Sequence, residues 1–370
     1  MAFHTIIVPP DTEQIKKAAV LLQAGEVVGI PTETVYGLAA DAYNPDAIKK
    51  IFLAKGRPQD NPLIVHIDSM EMLPELVITI PDTARRLAEK FWPGPLTMIL
   101  PKSDRVPMET TGNLDTVAIR MPSHPVARQI IHTCGFPLAA PSANLSGSPS
   151  PTTAEHVKKD MDGRIPFIIN GGECEIGVES TVIAVYDNYV RLLRPGGITV
   201  SMLRSCVDNV EIDNGVLHMI ANDVKVSSPG MKYKHYAPKA KVIILEGSRE
   251  EFADYVNNHS SSDEKDIYAL LFDGEKSLVS IPSLSYGALH DGISQAHGLF
   301  ASLRKLDDLN ARLVYARCPE KDGVGLAVYN RLLRAAGFDV IRLDRQKSEI
   351  ATRKAVSYTH LRAHETDSYL

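Results

Sequence analysis

Signals for helices and strands alternate along most of this sequence, which limits the chain to folds in which helices pack on a sheet. Asp11 and Gln14 resemble a helix start, apolar residues follow at helical spacing, and "VVGI" then predicts a short buried strand. Near residue 180 two strands, "STVIAVY" and "YVRLLR", follow one another without a helix between them. Strands joined in this way form hairpins. The sequence therefore predicts an α/β domain with a mixed sheet that is at least partly antiparallel.

The periodicity fades after about residue 207, where "NDVKVSSPGMKYKHYAPKAK" carries five lysines and two prolines. We interpret residues 208–240 as a basic linker between a first domain over 1–207 and a smaller second domain over 241–345. Strand and helix signals alternate again in the second domain, which favours a parallel sheet. Residues 346–370 continue neither pattern and are expected to be a disordered or non-native tail.

Composition excludes several classes of protein. The net charge of -5 disfavours a broad nucleic-acid-binding surface, and four widely separated cysteines without a CxxC pair disfavour a disulfide framework or zinc site. The N-terminus resembles no signal peptide, and no apolar run reaches the roughly 18 residues that a membrane span requires. We therefore expect a cytoplasmic protein with no membrane partner.

Four polar segments directly follow predicted helices or strands. No GxxxxGK[ST] loop and no GxGxxG after a strand is present, so a nucleotide would have to be held by another geometry. The carboxyl-terminal rim of an α/β sheet is where such folds place their ligands. We expect all four segments to meet there: "PTETVYGL" (31–38), "AKGRPQDNP" (54–62), "APSANLSGSPSPT" (140–152) and "LLRPGG" (192–197).

Lys55 and Arg57 allow two interpretations. Cations near a helix C-terminus complement the helix dipole and remain solvated, but a lysine beside a guanidinium also suits a polyphosphate. Ser142 and Asn144 likewise belong either to a turn that precedes a helix cap or to a set of hydrogen-bond donors for phosphate or ribose. Ser150 has the same two interpretations, and the residues alone leave all of these alternatives open.

Two arginines sit at the ends of apolar strands. Arg120 and Arg194 would each need an anionic partner if buried, either an internal carboxylate or the anionic group of a ligand. His66 within "IVHI" is more typical of a hydrogen-bonded core histidine than of a catalyst. For Glu33 and Glu179 we expect structural or outer-shell roles.

The motifs considered together resemble a known family. Lys55-Gly56-Arg57 with Ser142-Ala143-Asn144 match the KxR and SxN signature of L-threonylcarbamoyladenylate synthases, and "PTETVYGLAADA", "FWPGPLT", "GVESTVI" and "LRPGGIT" follow in the family's order. The linker and second domain resemble the long form of the family, which has a C-terminal accessory domain. The resemblance covers about residues 8–340. It implies a catalytic YrdC-like domain, with a mixed twisted sheet flanked by helices, followed by a smaller Rossmann-like domain.

The resemblance also implies an activity, which is ATP-dependent synthesis of L-threonylcarbamoyl-AMP from L-threonine and bicarbonate or CO2, with release of pyrophosphate. Mg2+ would arrive with the ATP, and the product would pass to the machinery that places threonylcarbamoyl groups on tRNA. A YrdC-type module that binds RNA or tRNA without this activity is the alternative, and direct tRNA binding is left open. A related carbamoyl-transfer domain would be expected to carry metal-binding or acylphosphatase-like segments, which we do not find in the sequence.

Site residues are implied by the same motifs. Lys55 and Arg57 would be catalytic, no residue would be dedicated to a metal, and Tyr236 would reach the site only if the linker closed over it as a lid. The residues implied for ATP are Lys55, Arg57, Asn61, Thr116, Ser142, Asn144, Ser150, Arg194 and Tyr236. Those implied for threonine are Thr34, His66, Arg120, Ala140 and Ser180.

Overall fold

The fold is described from a computed structural model, in which residues 4–59, 61–219, 236–261 and 263–343 are described. The expected tail and about half of the expected linker, its basic segment 220–235, lie outside these residues.

Helix ends follow from the local sequence. The Asp11 carboxylate accepts a hydrogen bond from the Gln14 amide at 2.9 Å and caps the first helix, while Asn44 caps the second, which ends before Gly56 at φ 61°. The helices are α1 Thr12–Gln23, α2 Pro45–Lys55, α3 Leu73–Leu76, α4 Asp82–Phe91, α5 Met108–Thr111, α6 Pro125–Cys134, α7 Ala154–Met161, α8 Val200–Arg204, α9 Arg249–His259, α10 Gly292–Asp308 and α11 Gly325–Ala335.

Two sheets organise the chain. The strands of the first are β1 Ile6–Val8, β2 Val28–Ile30, β3 Gly37–Asp41, β4 Ile64–His66, β5 Leu96–Pro101, β6 Thr116–Arg120, β7 Leu138–Ala139, β8 Phe167–Ile169, β9 Thr181–Val185, β10 Val190–Arg194 and β11 Val210–Ile212. The strands of the second are β12 Lys241–Glu246, β13 Ile267–Leu271, β14 Ser283–Ser285, β15 Leu313–Arg317 and β16 Val340–Arg342.

The first sheet is mixed, as predicted. Its strand order is β1-β8-β2-β3-β7-β4-β6-β5-β9-β10-β11, and β9 pairs antiparallel with β10, which confirms the hairpin. Helices cover both faces, because the apolar residues of α1 and α6 and those of α2 and α4 belong to separate core clusters. The sheet continues past residue 207, since β11 pairs with β10 over 210–212.

The second sheet is parallel throughout, in the order β14-β13-β15-β12-β16. Val242 and Ile244 of β12 face α10 and α11, whereas Leu245 joins the cluster of α9, so that helices cover both faces. This is the arrangement expected of a small Rossmann-like domain. The sequence did not predict β14 or β16, which are only three residues long.

α10 and α11 of the second unit pack against the loops of the first. Val35 and Val178 share a core cluster with residues of both helices. The Arg304 guanidinium of α10 forms two hydrogen bonds, at 3.0 and 2.8 Å, with the Asp160 carboxylate of α7. The second unit therefore lies directly behind the rim at which the polar loops were expected to meet.

Candidate active site

A cleft with about 740 Å3 of space not filled by protein atoms, including its open mouth, lies at the rim of the first sheet. All four polar segments contribute to its lining, which confirms that they converge. Of the fourteen residues implied for ATP and threonine, eleven line it: Thr34, Lys55, Arg57, His66, Arg120, Ala140, Ser142, Asn144, Ser180, Arg194 and Tyr236. The sheet topology explains part of the convergence, because the carboxyl ends of β4, β6 and β10 and the amino end of β9 reach the same edge.

Lys55 is the last residue of α2 and is 3% exposed, so the solvated-cation interpretation is wrong for it. Its ammonium donates hydrogen bonds to the backbone carbonyls of Ser142 and Asn144, the latter at 2.7 Å. Burial, followed by the nearby positive charge of Arg57, lowers the pKa of Lys55 well below its usual value. Lys55 therefore ties the KxR segment to the SxN loop and places its charge in the cleft.

The SxN loop is held by its own polar groups as well. The Asn144 amide nitrogen donates to the carbonyls of Leu145 and Ser148, at 2.7 and 2.8 Å. Its buried amide oxygen has no hydrogen-bond partner among the described residues. These hydrogen bonds hold the loop in place and leave the Asn144 amide oxygen available to accept a hydrogen bond from a ligand.

Three implied residues lie outside the lining of the cleft. Asn61 is 2% exposed, and its side-chain nitrogen and oxygen lack partners within the described parts of the chain. Thr116 begins β6, opposite Pro101, and is partly exposed. Ser150 is fully buried, and its hydroxyl donates a hydrogen bond to the Glu179 carboxylate. Ser150 therefore contacts a residue of the cleft wall without lining the cleft itself.

Arg120 has the internal carboxylate partner that its position allowed. Its guanidinium lies 2.6 Å from Glu33 Oε1, with both side chains 4% exposed, and donates to Thr34 Oγ1 at 2.8 Å. Burial raises the pKa of Glu33, but the charge and hydrogen bond of Arg120 outweigh it and leave this pKa below its usual value. Glu33 therefore holds Arg120 while Arg120 still lines the cleft.

Arg194 and Ser180 form a second polar group. The Arg194 Nε donates to the Ser180 carbonyl at 3.1 Å, and the Arg194 Nη2 donates to the Ser180 hydroxyl at 3.2 Å. The Ser180 hydroxyl oxygen also lies 2.7 Å from Thr97 Oγ1. No carboxylate lies within ion-pair distance of Arg194 among the described residues. Gly196 allows this approach, because a Cβ there would lie 2.3 Å from the Thr181 nitrogen.

Tyr236 lines the cleft at the point where the described chain resumes. It is 5% exposed, its φ is 64°, and its ring lies 5.3 Å from that of Phe300 in α10. The next amide, of Ala237, donates to the Gly147 carbonyl at 2.9 Å. The end of the expected linker is therefore anchored to both units beside the site.

Sequence reasoning missed three polar side chains of the described lining, Thr32, Ser146 and Glu179. The Thr32 hydroxyl lies 2.9 Å from that of Thr34 and so supports the Arg120 group. Glu179 was expected to be structural or outer-shell, yet it reaches the cleft wall. Two signals could have identified it: its position two residues before β9, and its place in the motif "GVESTVI".

His66 is 3% exposed on β4, next to Arg120 in the strand register, and its Nδ1 lies 3.1 Å from the Ile64 carbonyl oxygen. Burial, with a smaller contribution from the Arg120 charge, lowers the pKa of His66 to about 3. The imidazole is therefore neutral near pH 7, which suits a hydrogen-bonding residue in the cleft wall.

This pKa predicts acid sensitivity of the fold. The unfolded chain binds a proton at His66 below pH about 6.5, whereas the folded chain does so only near pH 3. The contribution of neutral His66 to the free energy of unfolding is complete above the pKa of the unfolded chain. It is lost as the pH falls from that pKa towards the pKa of the folded chain, by up to about 1.4 kcal/mol per pH unit.

The free energy of unfolding, measured in urea at several pH values from 7 to 4, should fall less steeply with decreasing pH for His66→Gln than for wild type. Exposed His218→Gln should keep the wild-type slope, and equal slopes for all three would contradict the assignment.

Among the described residues, no helix is both long and apolar enough to cross a membrane. Within the same residues, no group of three or more His, Cys, Asp or Glu side chains is arranged to hold a metal ion.

Comparison with known proteins gives consistent matches. Residues 20–196 match the Sua5, YciO and YrdC family model, described as telomere recombination, and residues 198–337 match the threonylcarbamoyl-AMP synthase C-terminal domain. A threonylcarbamoyl-AMP synthase of Bacillus subtilis is 46% identical over 89% of this chain and 94% of its own length. One from Pyrococcus abyssi is 45% identical over 89% of this chain and 96% of its own.

Solved structures agree with these relatives. The crystal structure of P. abyssi Sua5 complexed with L-threonine has a TM-score of 0.85 and 41% identity, covering 92% of this chain and 99% of that protein. Sequence and fold thus match along almost the whole of both chains. This chain belongs to the threonylcarbamoyl-AMP synthase family.

Proposed function

We propose that this chain converts ATP, L-threonine and bicarbonate or CO2 into L-threonylcarbamoyl-AMP and pyrophosphate. The observation that carries the proposal is the convergence in one cleft of three cations, Lys55, Arg57 and Arg194, with a separately held Arg120. Three cations suit a triphosphate, and the further guanidinium, that of Arg120, suits the carboxylate of an amino acid. Relatives similar along almost their full length carry the corresponding name.

We propose that ATP lies against the KxR and SxN segments. Lys55 and Arg57 would neutralise the triphosphate, Arg194 would hold a further phosphate oxygen, and Ser142 and Asn144 would offer polar contacts to phosphate or ribose. Asn61, Thr116 and Ser150 do not line the cleft. Asn61 has the strongest support of the three, because its buried amide has no partner among the described residues and ATP would supply one.

We propose that threonine lies at the Arg120 end. Arg120 would bind its carboxylate, Thr34 and Ser180 would offer hydroxyls, His66 would act as a neutral hydrogen-bonding group, and Ala140 would contribute backbone only. The P. abyssi protein was crystallised with L-threonine, which supports an amino-acid site in the shared fold.

The reaction needs no nucleophile from the protein. The threonine amine takes up CO2 and loses a proton, or takes up bicarbonate with loss of water, and becomes a carbamate. A carbamate oxygen then attacks the α-phosphorus as the bond to the pyrophosphate oxygen breaks. Positioning and charge neutralisation are the main demands of phosphoryl-type transfer, and the buried cations of the cleft meet both.

Mg2+ is proposed to arrive with ATP. In the described chain no cluster of acidic side chains is available for it, and Glu179 of the cleft wall is already paired with Arg331 at 2.9 Å. Phosphate oxygens and water would then supply most of its ligands, as is usual for magnesium bound with nucleotides, and the ion would offset charge on the phosphates.

The proposed domains are a catalytic unit near residues 1–207 and an accessory unit from about residue 241, joined by the linker as a lid. The anchoring of Tyr236 beside the cleft supports a lid.

The product is proposed to supply the machinery that modifies tRNA, and the enzyme is proposed to act in the cytoplasm. Binding of tRNA without turnover is the weaker alternative, because the buried cations of the cleft face a small space rather than an open surface.

Pyrophosphate release tests the proposal. Release from ATP and Mg2+ should require both L-threonine and bicarbonate, and omission of either should reduce it to background. The nucleotide product should carry one threonine and one carbonyl carbon, which mass spectrometry or labelled bicarbonate detects. Release that ignores threonine, or tight tRNA binding without ATP turnover, would contradict the proposed reaction.

A further inference from the structure

The Glu179 carboxylate of the cleft wall is paired with an arginine from the other unit. Arg331 of α11 is 0% exposed, and its Nε donates to Glu179 Oε2 at 2.9 Å. The other carboxylate oxygen accepts the Ser150 hydroxyl. Burial raises the pKa of Glu179, but Arg331, followed by Arg194 and Ser150, outweighs it and leaves the pKa lowered, so that the carboxylate is charged.

The same guanidinium also supports the backbone around the cleft. Its Nη1 donates to the Pro195 carbonyl at 2.5 Å, and its Nη2 to the Glu179 carbonyl at 3.2 Å. Pro195 directly follows Arg194, and Glu179 directly precedes Ser180. One side chain of α11 therefore holds both segments that carry the Arg194 and Ser180 pair.

A negatively charged carboxylate in the wall of the cleft disfavours the binding of the proposed ligand, ATP. Among the residues that the structure describes, Glu179 is the acidic side chain that lines the cleft beside Lys55, Arg57, Arg120 and Arg194. An uncompensated negative charge there would repel a triphosphate, and the low dielectric of the buried site would strengthen the repulsion. With Arg331 in place, the two charges cancel and the four cations act on the ligand.

We propose that Arg331 is a positioning residue for the nucleotide site, contributed by the C-terminal unit, which cancels the Glu179 charge and holds the turn that carries Arg194. The identity of the ligand as ATP rests on the function proposed above. The C-terminal unit then has a direct part in nucleotide binding without contact with the nucleotide. Removal of the Arg331 charge should weaken the binding of ATP more than that of L-threonine, because Arg120, the proposed partner of the threonine carboxylate, is held by Glu33 and only Ser180 of the threonine site depends on Arg331.

Four variants of the full-length protein test this role, with ATP and L-threonine titrated separately by calorimetry. Arg331→Met should raise the dissociation constant for ATP by about tenfold or more, as expected when a buried charge loses its partner. Glu179→Gln with Arg331→Met should recover at least about threefold of the lost affinity, because no unpaired charge remains, and the part not recovered measures the lost hydrogen bonds to the turn. Arg331→Lys, which keeps the charge but loses the forked hydrogen bonds, should lie between these values.

Arg317→Met is the matched control for a merely structural effect. Arg317 forms a similarly buried ion pair with Glu275 inside the C-terminal unit, at 3.1 Å and away from the cleft lining. Arg317→Met should lower the melting temperature, as Arg331→Met should, but it should leave the affinity for ATP at the wild-type value. Equal loss of ATP affinity in the two variants would overturn the proposal, as would an unchanged affinity in Arg331→Met or no recovery in the double variant.

Failure of Arg331→Met to fold would leave the decision to the double variant alone. ATP binding within about threefold of wild type would support the charge role, and a loss of about tenfold or more would overturn it. Because ATP binding is measured without turnover, an inactive wild type that still binds ATP would contradict the proposed reaction and leave the test of Arg331 valid.

Discussion

Replacing Arg120 by methionine should both destabilise the fold and remove threonine-dependent turnover. Arg120 and Glu33 form an ion pair at 2.6 Å with both side chains 4% exposed. Removing one partner leaves the other charge buried without compensation, which costs about 3–5 kcal/mol of the free energy of unfolding. Urea unfolding at pH 7 measures this loss, and the pyrophosphate assay measures the activity.

A double variant separates the two effects. Glu33→Gln in the Arg120→Met background removes the unpaired carboxylate, so that most of the lost stability should return. Activity should not return, because the proposed partner of the threonine carboxylate is still missing. A stable double variant that turns over threonine at the wild-type rate would show that Arg120 is only structural.

Replacing Arg57 by alanine should reduce turnover by roughly 100- to 1,000-fold, the typical effect of losing one group that stabilises developing charge. The fold should remain intact, because Arg57 lies beyond the end of α2 and is partly exposed. Steady-state pyrophosphate release gives the rate, and circular dichroism with a thermal melt reports the fold.

Lys55→Ala should reduce turnover at least as far as Arg57→Ala and should also lower stability. The buried ammonium satisfies the carbonyls of Ser142 and Asn144, and each buried acceptor left without a donor costs about 1–3 kcal/mol. Lys49→Ala, an exposed lysine in the same helix that pairs with Asp46, is the matched control and should retain activity. Wild-type turnover by Lys55→Ala would show that Lys55 has only a structural role.

Local structure was predictable where the sequence carries its own signals. The Asp11 cap, the Asn44-Pro45 start and the glycine after Lys55 define α1 and α2, and "STVIAVY" and "YVRLLR" form the predicted hairpin. β3 was not predicted, because "GLAAD" lacks the β-branched and aromatic residues typical of strands. Its strand conformation comes from pairing with β2 and β7, which are neighbours only in the folded chain.

Part of the cleft was predictable as well. The motifs identified eleven side chains that the fold brings to one cleft, since the carboxyl ends of several strands meet at one edge. The burial of Lys55 was not predictable, because it depends on carbonyls 87 and 89 residues away. The same applies to the partner of Glu179, which lies 152 residues along the chain.

The alternation of helices and strands, the mixed and parallel character of the two sheets and the family resemblance could all be read from the amino-acid sequence. These depend on short-range periodicity, turn residues and caps, which act within a few residues. The charge pairs could be identified only in the folded protein: Arg120 with Glu33 inside the catalytic unit, and Glu179 with Arg331 of the C-terminal unit. A buried charge depends on whichever group the fold places beside it, and spacing along the chain does not specify that group.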